Sequence, residues 1–469
     1  MFVGFDYGSA NCAVGIMDGE RVQLLPLAGD SHYLVSTLYA FDRELIAEAV
    51  YQQLAGELKA DYAKLRSAQL SRARHARQAL DLDGDEQAVF VGEQAVAHYL
   101  EMPEEGFYVR SPKSFLGATG LRADQIALFE DIVTLMMMHI KSLADKQLGA
   151  KGRATHAVIG RPVNFQGIGG EESNRQAEAI LALAAKRAGF IEVSFLFEPL
   201  AAGMDFEASL SQDKTVLVVD VGGGTTDCSV VKMGPSHIAK ADRSEDFLGH
   251  SGQRIGGNDL DIALAMKAFM PHLGLGSQMV NGLPVPSQPF WNAVAVNDIS
   301  AQRDFASLTT RKMIEELIKD AERSDLLSRL LKVQRDQLGY RLVRSAEGAK
   351  IALSDNVATQ SSLDYVDAAL TAEVDQQGFV DAIAQPVGLI QALMAEAMAK
   401  ATDKATDKAT DKATDKAQAD IIYVTGGTAK SPAIYQKIAQ MYPETEIVVG
   451  DHFGSVTAGL TRWAQKVFG

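Results

Sequence analysis

Twice in this chain of 469 residues an acid closes an apolar run, the chain turns on glycine and small polar residues, and a cysteine opens the next run. The first copy is Asp6-Tyr7-Gly8-Ser9-Ala10-Asn11-Cys12. The second is Asp220-Val221-Gly222-Gly223-Gly224-Thr225-Thr226-Asp227-Cys228. Each pattern predicts a strand, a Gly-rich turn and a second strand, and Asp18-Gly19 marks a further hairpin. A plan repeated so far along one chain reads as an internal duplication, one copy per lobe. Between the copies the pattern predicts a strand at 157–159, a helix from about Ser173 to Ala188 and a strand from Val193 to Phe197. Strands alternating with helices predict an α/β protein with mixed sheets. Cys12 and Cys228 then start matched strands, and they read as small buried residues rather than redox groups.

The hairpins also carry chemistry. Consecutive glycines let backbone N–H groups point into one small volume, which holds a phosphate without side chains. Thr225, Thr226, Ser9 and Asn11 add polar donors. Asp6, Asp220 and Asp227 bring carboxylates to the same place, where they and bound phosphate would repel unless a cation lies between. Mg²⁺ suits that position, because it keeps several waters and takes one or two carboxylates plus phosphate oxygens. No Gly-x-x-x-x-Gly-Lys-[Ser/Thr] element occurs, which excludes a P-loop, and Gly249-His250-Ser251-Gly252 falls short of a nucleophile elbow.

Composition narrows the partners. A formal charge of −15 opposes a general grip on nucleic acid or anionic membrane. The chain enters an apolar strand directly after Met1 and holds no uninterrupted apolar run of about 18 residues, so neither a signal peptide nor a membrane span is expected. With two cysteines there is no disulfide framework, and a cytoplasmic location is expected. The histidines have no metal-ligand spacing, and His139 reads as a packed helix residue. Lys64, Arg66, Arg72, Arg74 and Arg77 suit the solvated face of a helix. Residues 401–416 are four copies of Ala-Thr-Asp-Lys, continuing a helical pattern that begins near Val387. Lys400 can meet Asp403, and Lys404 can meet Asp407, on a solvated helical extension. A disordered spacer is the alternative. Pro271 to Gln337 is broken early by glycine and proline, then turns polar and helical from about Ala306.

Six segments, in order, resemble those of the seventy-kilodalton heat-shock chaperones of the DnaK type. Phe5 to Asn11 is similar to their first phosphate motif, and Asp220 to Asp227 to their second. Glu198-Pro199-Leu200-Ala201-Ala202-Gly203 is similar to their connecting motif, and Arg254-Ile255-Gly256-Gly257-Asn258-Asp259-Leu260-Asp261 to the segment entering the outer part of lobe two. Glu347-Gly348-Ala349-Lys350-Ile351-Ala352-Leu353-Ser354 resembles the helix flanking the nucleoside. Val424-Thr425-Gly426-Gly427-Thr428-Ala429-Lys430-Ser431-Pro432 resembles the adenosine motif. Gly459 suits the closing helix.

The resemblance implies an α/β actin-like ATPase fold, in which two ribonuclease-H-like lobes with mixed sheets flanked by helices enclose a central nucleotide cleft. Lobe I would comprise 1–205 and 450–469. Lobe II would comprise 206–449, with an enlarged outer subdomain at about 256–350 and the helical repeat at 401–416. It implies ATP or ADP with Mg²⁺. Asp6, Asp220 and Asp227 would hold the metal through its waters, and Asp220 would act as base or water-orienting group. Glu198 would position the attacking water, and Ser9 and Thr225 would contact the transferred phosphate. Ala10, Asn11, Gly222, Gly223, Gly224 and Thr226 would complete the phosphate turns. Glu347, Lys350, Ser354, Gly426, Gly427, Thr428 and Lys430 would surround the nucleoside.

Three departures qualify this. Val96 stands where the stretch Gly92-Glu93-Gln94-Ala95 leads into the family's lysine; Lys113 is the candidate replacement, with an ordinary surface or interlobe lysine as the competing reading. Phe197 and Ala10 replace an asparagine and a hydroxyl. No β-rich substrate-binding domain is expected after Gly469. The expected function is an ATP-binding, chaperone-like protein, a slow Mg²⁺-dependent ATPase or nucleotide switch assisting protein folding. Alternatives are a non-hydrolysing ATP-gated scaffold, a small-molecule kinase or an actin-like filament protein. Expected partners are unnamed protein clients or co-chaperones, with no nucleic acid, no membrane and a monomeric state.

Overall fold

The computed structural model describes residues 1–103, 105–165, 170–238, 240, 243–408, 418–429, 431–450 and 454–469. The protein is built on two mixed sheets. In the first, the hairpin strands Phe2–Tyr7 and Asn11–Asp18 pair antiparallel, with Asp6 opposite Ala13 and Tyr7 opposite Cys12. Arg21–Leu24 joins on one side, and His156–Arg161 and Glu192–Phe197 join parallel on the other. In the second, Lys214–Val221 pairs antiparallel with Thr226–Met233, placing Asp220 opposite Asp227. Phe247–Gln253 flanks the hairpin, and Ile421–Thr425 and Glu446–Val449 add in parallel. Both sheets therefore run third, second, first, fourth, fifth in order of appearance, as a duplicated hairpin predicts.

Apolar runs explain these central strands. Val216, Leu217, Val218 and Val219 are all fully buried, as strands covered on both faces require. Each sheet has its own core, and a third cluster joins them through Val158, Leu200, Val218, Tyr423 and Leu460. Its helices are Glu198–Glu207 and Gly454–Phe468. They approach so closely that a side chain at Gly459 would collide with the Ala201 carbonyl, which explains the glycine.

Outer pieces cap both lobes. A small sheet of Thr37–Ala40, Val89–Val91 and Phe107–Arg110 tops the first. Helices Gln288–Val294, Ile299–Ala306, Leu308–Asp320, Ser324–Arg335 and Gly339–Asp355 build out the second. Among the described residues no single helix is long and apolar enough to cross a membrane.

Two sequence expectations are corrected. The basic stretch is not uniformly solvated. Arg66 is 4% exposed, its Nε donating to Asp131 at 3.0 Å and a terminal nitrogen to Glu130, while Arg77 pairs with Glu48. Charge spacing cannot reveal partners on a distant helix. Nor is the start of the repeat a free solvated face. Helix Ala384–Lys408 lies against Phe247–Gln253, Ala401 is fully buried, and Lys400 and Lys404 donate to the carbonyls of His250 and Phe247. Lys400 also pairs with Glu396 rather than with Asp403. Residues 409–416, the second half of the repeat, lie outside the described residues.

Asp131 faces both Arg66 and Arg187 inside the first lobe. Asp131→Ala takes the buried acid from both arginines and leaves Arg66 only Glu130, so it should destabilise the protein by about 3–5 kcal/mol. Urea unfolding followed by circular dichroism measures this; an unchanged midpoint would contradict it.

Candidate functional site

The two Gly-rich turns meet face to face. A side chain at Gly223 would lie 2.7 Å from the Ala10 side chain, and one at Gly224 would lie 2.5 Å from Ser114 Oγ and 3.2 Å from Ser9 Oγ. Only glycine permits that approach. The second turn closes on itself through Gly222 N–H donating to Thr225 O at 2.9 Å. Gly257 and Asn258 then donate to the carbonyls of Gly222 and Gly223, so the start of helix Gly257–Leu264 is fastened to the turn.

A cavity of about 160 Å³ lies between the turns. Asp6, Ser9, Ala10, Asn11, Glu198, Gly222, Gly223 and Thr225 line one end, and Glu347, Lys350, Gly427 and Thr428 the other. A second cavity of about 150 Å³ shares Lys350 and adds Ser354, Phe379 and Pro432. Asp220 and Gly426 stand behind this wall: Gly426 has φ +91°, and a side chain there would lie 2.6 Å from Asp220 Oδ1. Lys430 lies outside the described residues.

Thr226 is a correction. Its hydroxyl is fully buried and donates to Ile255 O at 2.8 Å, so it braces the turn and is not offered to a ligand. Asp227 is also withdrawn from the cavity lining, and its Oδ1 accepts from Val163 N–H at 2.8 Å.

The floor of the cleft carries a surplus of buried acid. Burial, with the Glu198 charge second, pushes Asp6 up to about 7 from an ordinary 3.8. Burial, then Glu198 and Asp6, push Asp220 up to about 8, and burial and Glu198 raise Asp227 well above the usual range. Lys113 stands among them. The short turn Pro112–Phe115 carries it, it is 4% exposed, and its Nζ donates to Glu198 Oε1. Burial opposes its charge, but Glu198 and Asp6 outweigh burial and keep it protonated. Geometry excludes the surface reading of Lys113: it is an internal cation paired with Glu198. Val96, by contrast, is packed at 8% exposure on helix Glu93–Glu101.

Sequence reasoning missed several partners. Arg110 pairs with Glu347 at 2.8 Å, and Lys350 pairs with Asp261 at 2.7 Å. Burial alone would raise Glu347, but Arg110 and Lys350 hold it below its usual range. Above the cleft, Tyr99 stacks on Tyr108 with centroids 4.4 Å apart, Tyr340 meets Tyr108 edge-on at 5.0 Å, and Tyr99 Oη donates to Gln337 O at 3.0 Å. Only Asp261 had a signal, as the last residue of a recognised motif.

Among the described residues no three His, Cys, Asp or Glu side chains converge as a direct metal cage. A Mg²⁺ ion that keeps its waters needs no such cage. Carboxylates held protonated by burial are what an added cation would ionise, so the donor set fits.

The layout defines a class: two mixed sheets of matching strand order with a cavity between paired glycine turns. Residues 122–269 match the family model described as Hsp70 protein. The chain is similar to the chaperone protein HscA homolog of Rickettsia typhi, at 24% identity over 56% of this chain and 37% of the relative. It is also similar to the chaperone protein DnaK of Mycoplasmopsis pulmonis, at 29% identity over 43% of this chain and 37% of the relative. A shorter match, 31% identical, covers 29% of this chain and 20% of the HscA homolog of Rickettsia rickettsii. The chain thus spans little more than a third of the length of the first of these relatives. An Hsp70 match implies the actin-like ATPase fold, and the mixed sheets flanked by helices agree with it.

Folding takes up protons here, because Asp6 and Asp220 release them near 7 and 8 when folded but near 3.8 when unfolded. Their contribution to stability therefore falls as pH rises from about 4 to 8. Asp220→Asn, which cannot ionise, should gain in melting temperature over the wild type progressively across that window. Parallel thermal melts without nucleotide measure the difference; a constant gap would contradict the assignment.

Proposed function

We propose that this chain binds ATP or ADP with Mg²⁺ in the cleft and acts as a chaperone-like protein of the heat-shock-seventy type, a slow ATPase or nucleotide switch assisting protein folding. The observation that carries the reading is Lys113. A buried cation paired with Glu198, and near enough to Asp6 to act on its charge, would supply the charge that Val96 cannot. Within the family, the motifs resemble those of the bacterial chaperone-like protein YegD. The proposed division is lobe I at 1–205 and 450–469, with lobe II at 206–449.

Phosphoryl transfer is mostly positioning and charge stabilisation. Backbone N–H groups of the two turns, with Ser9, Asn11 and Thr225, hold the phosphates. Mg²⁺, when bound through Asp6, Asp220 and Asp227, neutralises phosphate charge. Lys113 exchanges Glu198 for the terminal phosphate and stabilises the charge developing there. Glu198, so released, orients a water whose oxygen attacks the terminal phosphorus. Asp220 accepts that water's proton as the bond to the leaving diphosphate oxygen breaks. Glu347, Lys350, Ser354, Gly426, Gly427 and Thr428 surround the nucleoside. Protein clients or co-chaperones would read the lobe angle, which changes with the terminal phosphate. We place the protein in the cytoplasm, as a monomer, without nucleic-acid or membrane partners.

One observation favours a second reading. Lys113 is already engaged by Glu198, and a pair that never opened would leave an ATP-gated scaffold without turnover.

Single-turnover hydrolysis of ATP with Mg²⁺ tests both. Asp220→Asn should abolish cleavage while ATP binding survives, and Lys113→Ala should slow it by about 10²–10³. ATP bound tightly by the wild type but never cleaved selects the scaffold. No ATP binding at all ends the reading.

A further inference from the structure

Arg161 belongs to none of the motifs used so far. It ends the strand His156–Arg161, and its side chain is 15% exposed. Its guanidinium is engaged on several sides. Nε donates to the Pro162 carbonyl at 3.1 Å, and one terminal nitrogen donates to the Val163 carbonyl at 3.1 Å. The other terminal nitrogen pairs with Glu178 on helix Gly170–Ala188. The charge sits 4.8 Å from the centroid of Phe197 and 5.7 Å from that of Phe165.

The clamp touches the site at two points. The Pro162–Val163 peptide, whose carbonyl Nε holds, sends its N–H to Asp227 Oδ1 at 2.8 Å. Val163 follows a strand of the first sheet and Asp227 lies on a strand of the second, so this bond crosses between the lobes. Phe197, the aromatic seat, immediately precedes Glu198, which starts helix Glu198–Glu207 and pairs with Lys113. This gives the phenylalanine in the Phe197-Glu198-Pro199 run a use. It is 38% exposed, and the cation beside its ring compensates for an apolar side chain left in water.

We propose that Arg161 is a positioning residue that holds Asp227 and Glu198 in register across the cleft, with Phe197 as its seat. The inference rests on the nucleotide reading above. Lysine cannot serve, because only a planar guanidinium can grip two successive carbonyls while lying against a ring. Partners behind a metal's own ligands typically change metal affinity about 10–100-fold when lost. Val163 N–H, kept in place by Arg161, is such a partner for Asp227.

Calorimetry of ADP binding, with Mg²⁺ and with EDTA, separates this from a merely structural role. Arg161→Lys should bind ADP like the wild type in EDTA but lose about tenfold or more of the tightening that Mg²⁺ gives. Phe197→Leu should lose part of it, and the double variant should be no worse than Arg161→Lys alone. Glu178→Gln, which removes only the outer ion pair, should keep the tightening. Additive losses, a Glu178→Gln variant that matches Arg161→Lys, or a lowered melting temperature with intact Mg²⁺ tightening would overturn the proposal. If Arg161→Lys does not fold, Phe197→Leu decides alone. Asp227→Asn distinguishes the levels: if it abolishes the tightening and Arg161→Lys does not, the inference falls and the nucleotide reading stands. A wild type that binds no ADP under either condition ends both.

Discussion

Glu198, Asp220 and Asp227 are taken out of water together, with Lys113 among them and Asp6 half-buried at the cavity wall, and an ionised carboxylate left uncompensated in such a place is costly. The molecule meets that cost by raising the pKa of Asp6 to about 7 and of Asp220 to about 8, and by pairing Glu198 with the lysine. Every other feature of the cleft follows from keeping these groups close. The glycine turns bring backbones together where side chains would hold them apart. Helices Glu198–Glu207 and Gly454–Phe468 fill the space between the sheets and fix how far apart the acids stand. A cation entering with phosphate would relieve the strain, so the same arrangement that disfavours the empty cleft favours the filled one.

Local chemistry was legible in the sequence and long-range pairing was not. The hairpins could be read because strand, turn and strand lie within a few residues of one another, and three glycines in a row have few other uses. The matching order of the two sheets was implicit in that repetition. Asp6, Asp220, Glu198 and Thr225 come together because each sits at the end of an element whose position the motif fixes. Lys113 could only be nominated, since its loop joins the site through a fold that spacing does not encode. Nothing local distinguishes Thr225 from Thr226, yet alternation along the strand turns one hydroxyl to the cavity and the other to Ile255. Arg110, Arg161 and the Val163 N–H carry no motif at all. Arg66 and Arg77 show the converse error, where charges counted as surface are interior because their acids lie on other elements.

The aromatic contact above the cleft and the polar bonds within it divide the labour between the lobes. Tyr99, Tyr108 and Tyr340 bring large surfaces together and have little directional demand beyond ring geometry. Val163 to Asp227 and Asn258 to Ser111 are directional. The first kind of contact tolerates small slips of one surface over the other. The second is satisfied at one angle.

The helix Ala384–Lys408 has a consequence of a different kind. Phe247–Gln253 is the outermost strand of the second sheet, and an outermost strand normally offers its backbone to any chain that drifts alongside. Here the carbonyls of Phe247 and His250 are already taken by Lys404 and Lys400, and Gly249 has no side chain to keep the helix at a distance. A second copy seeking to prolong the sheet would find those acceptors occupied and a helix in its path. At these two acceptors the margin is closed to strand-by-strand growth into a polymer.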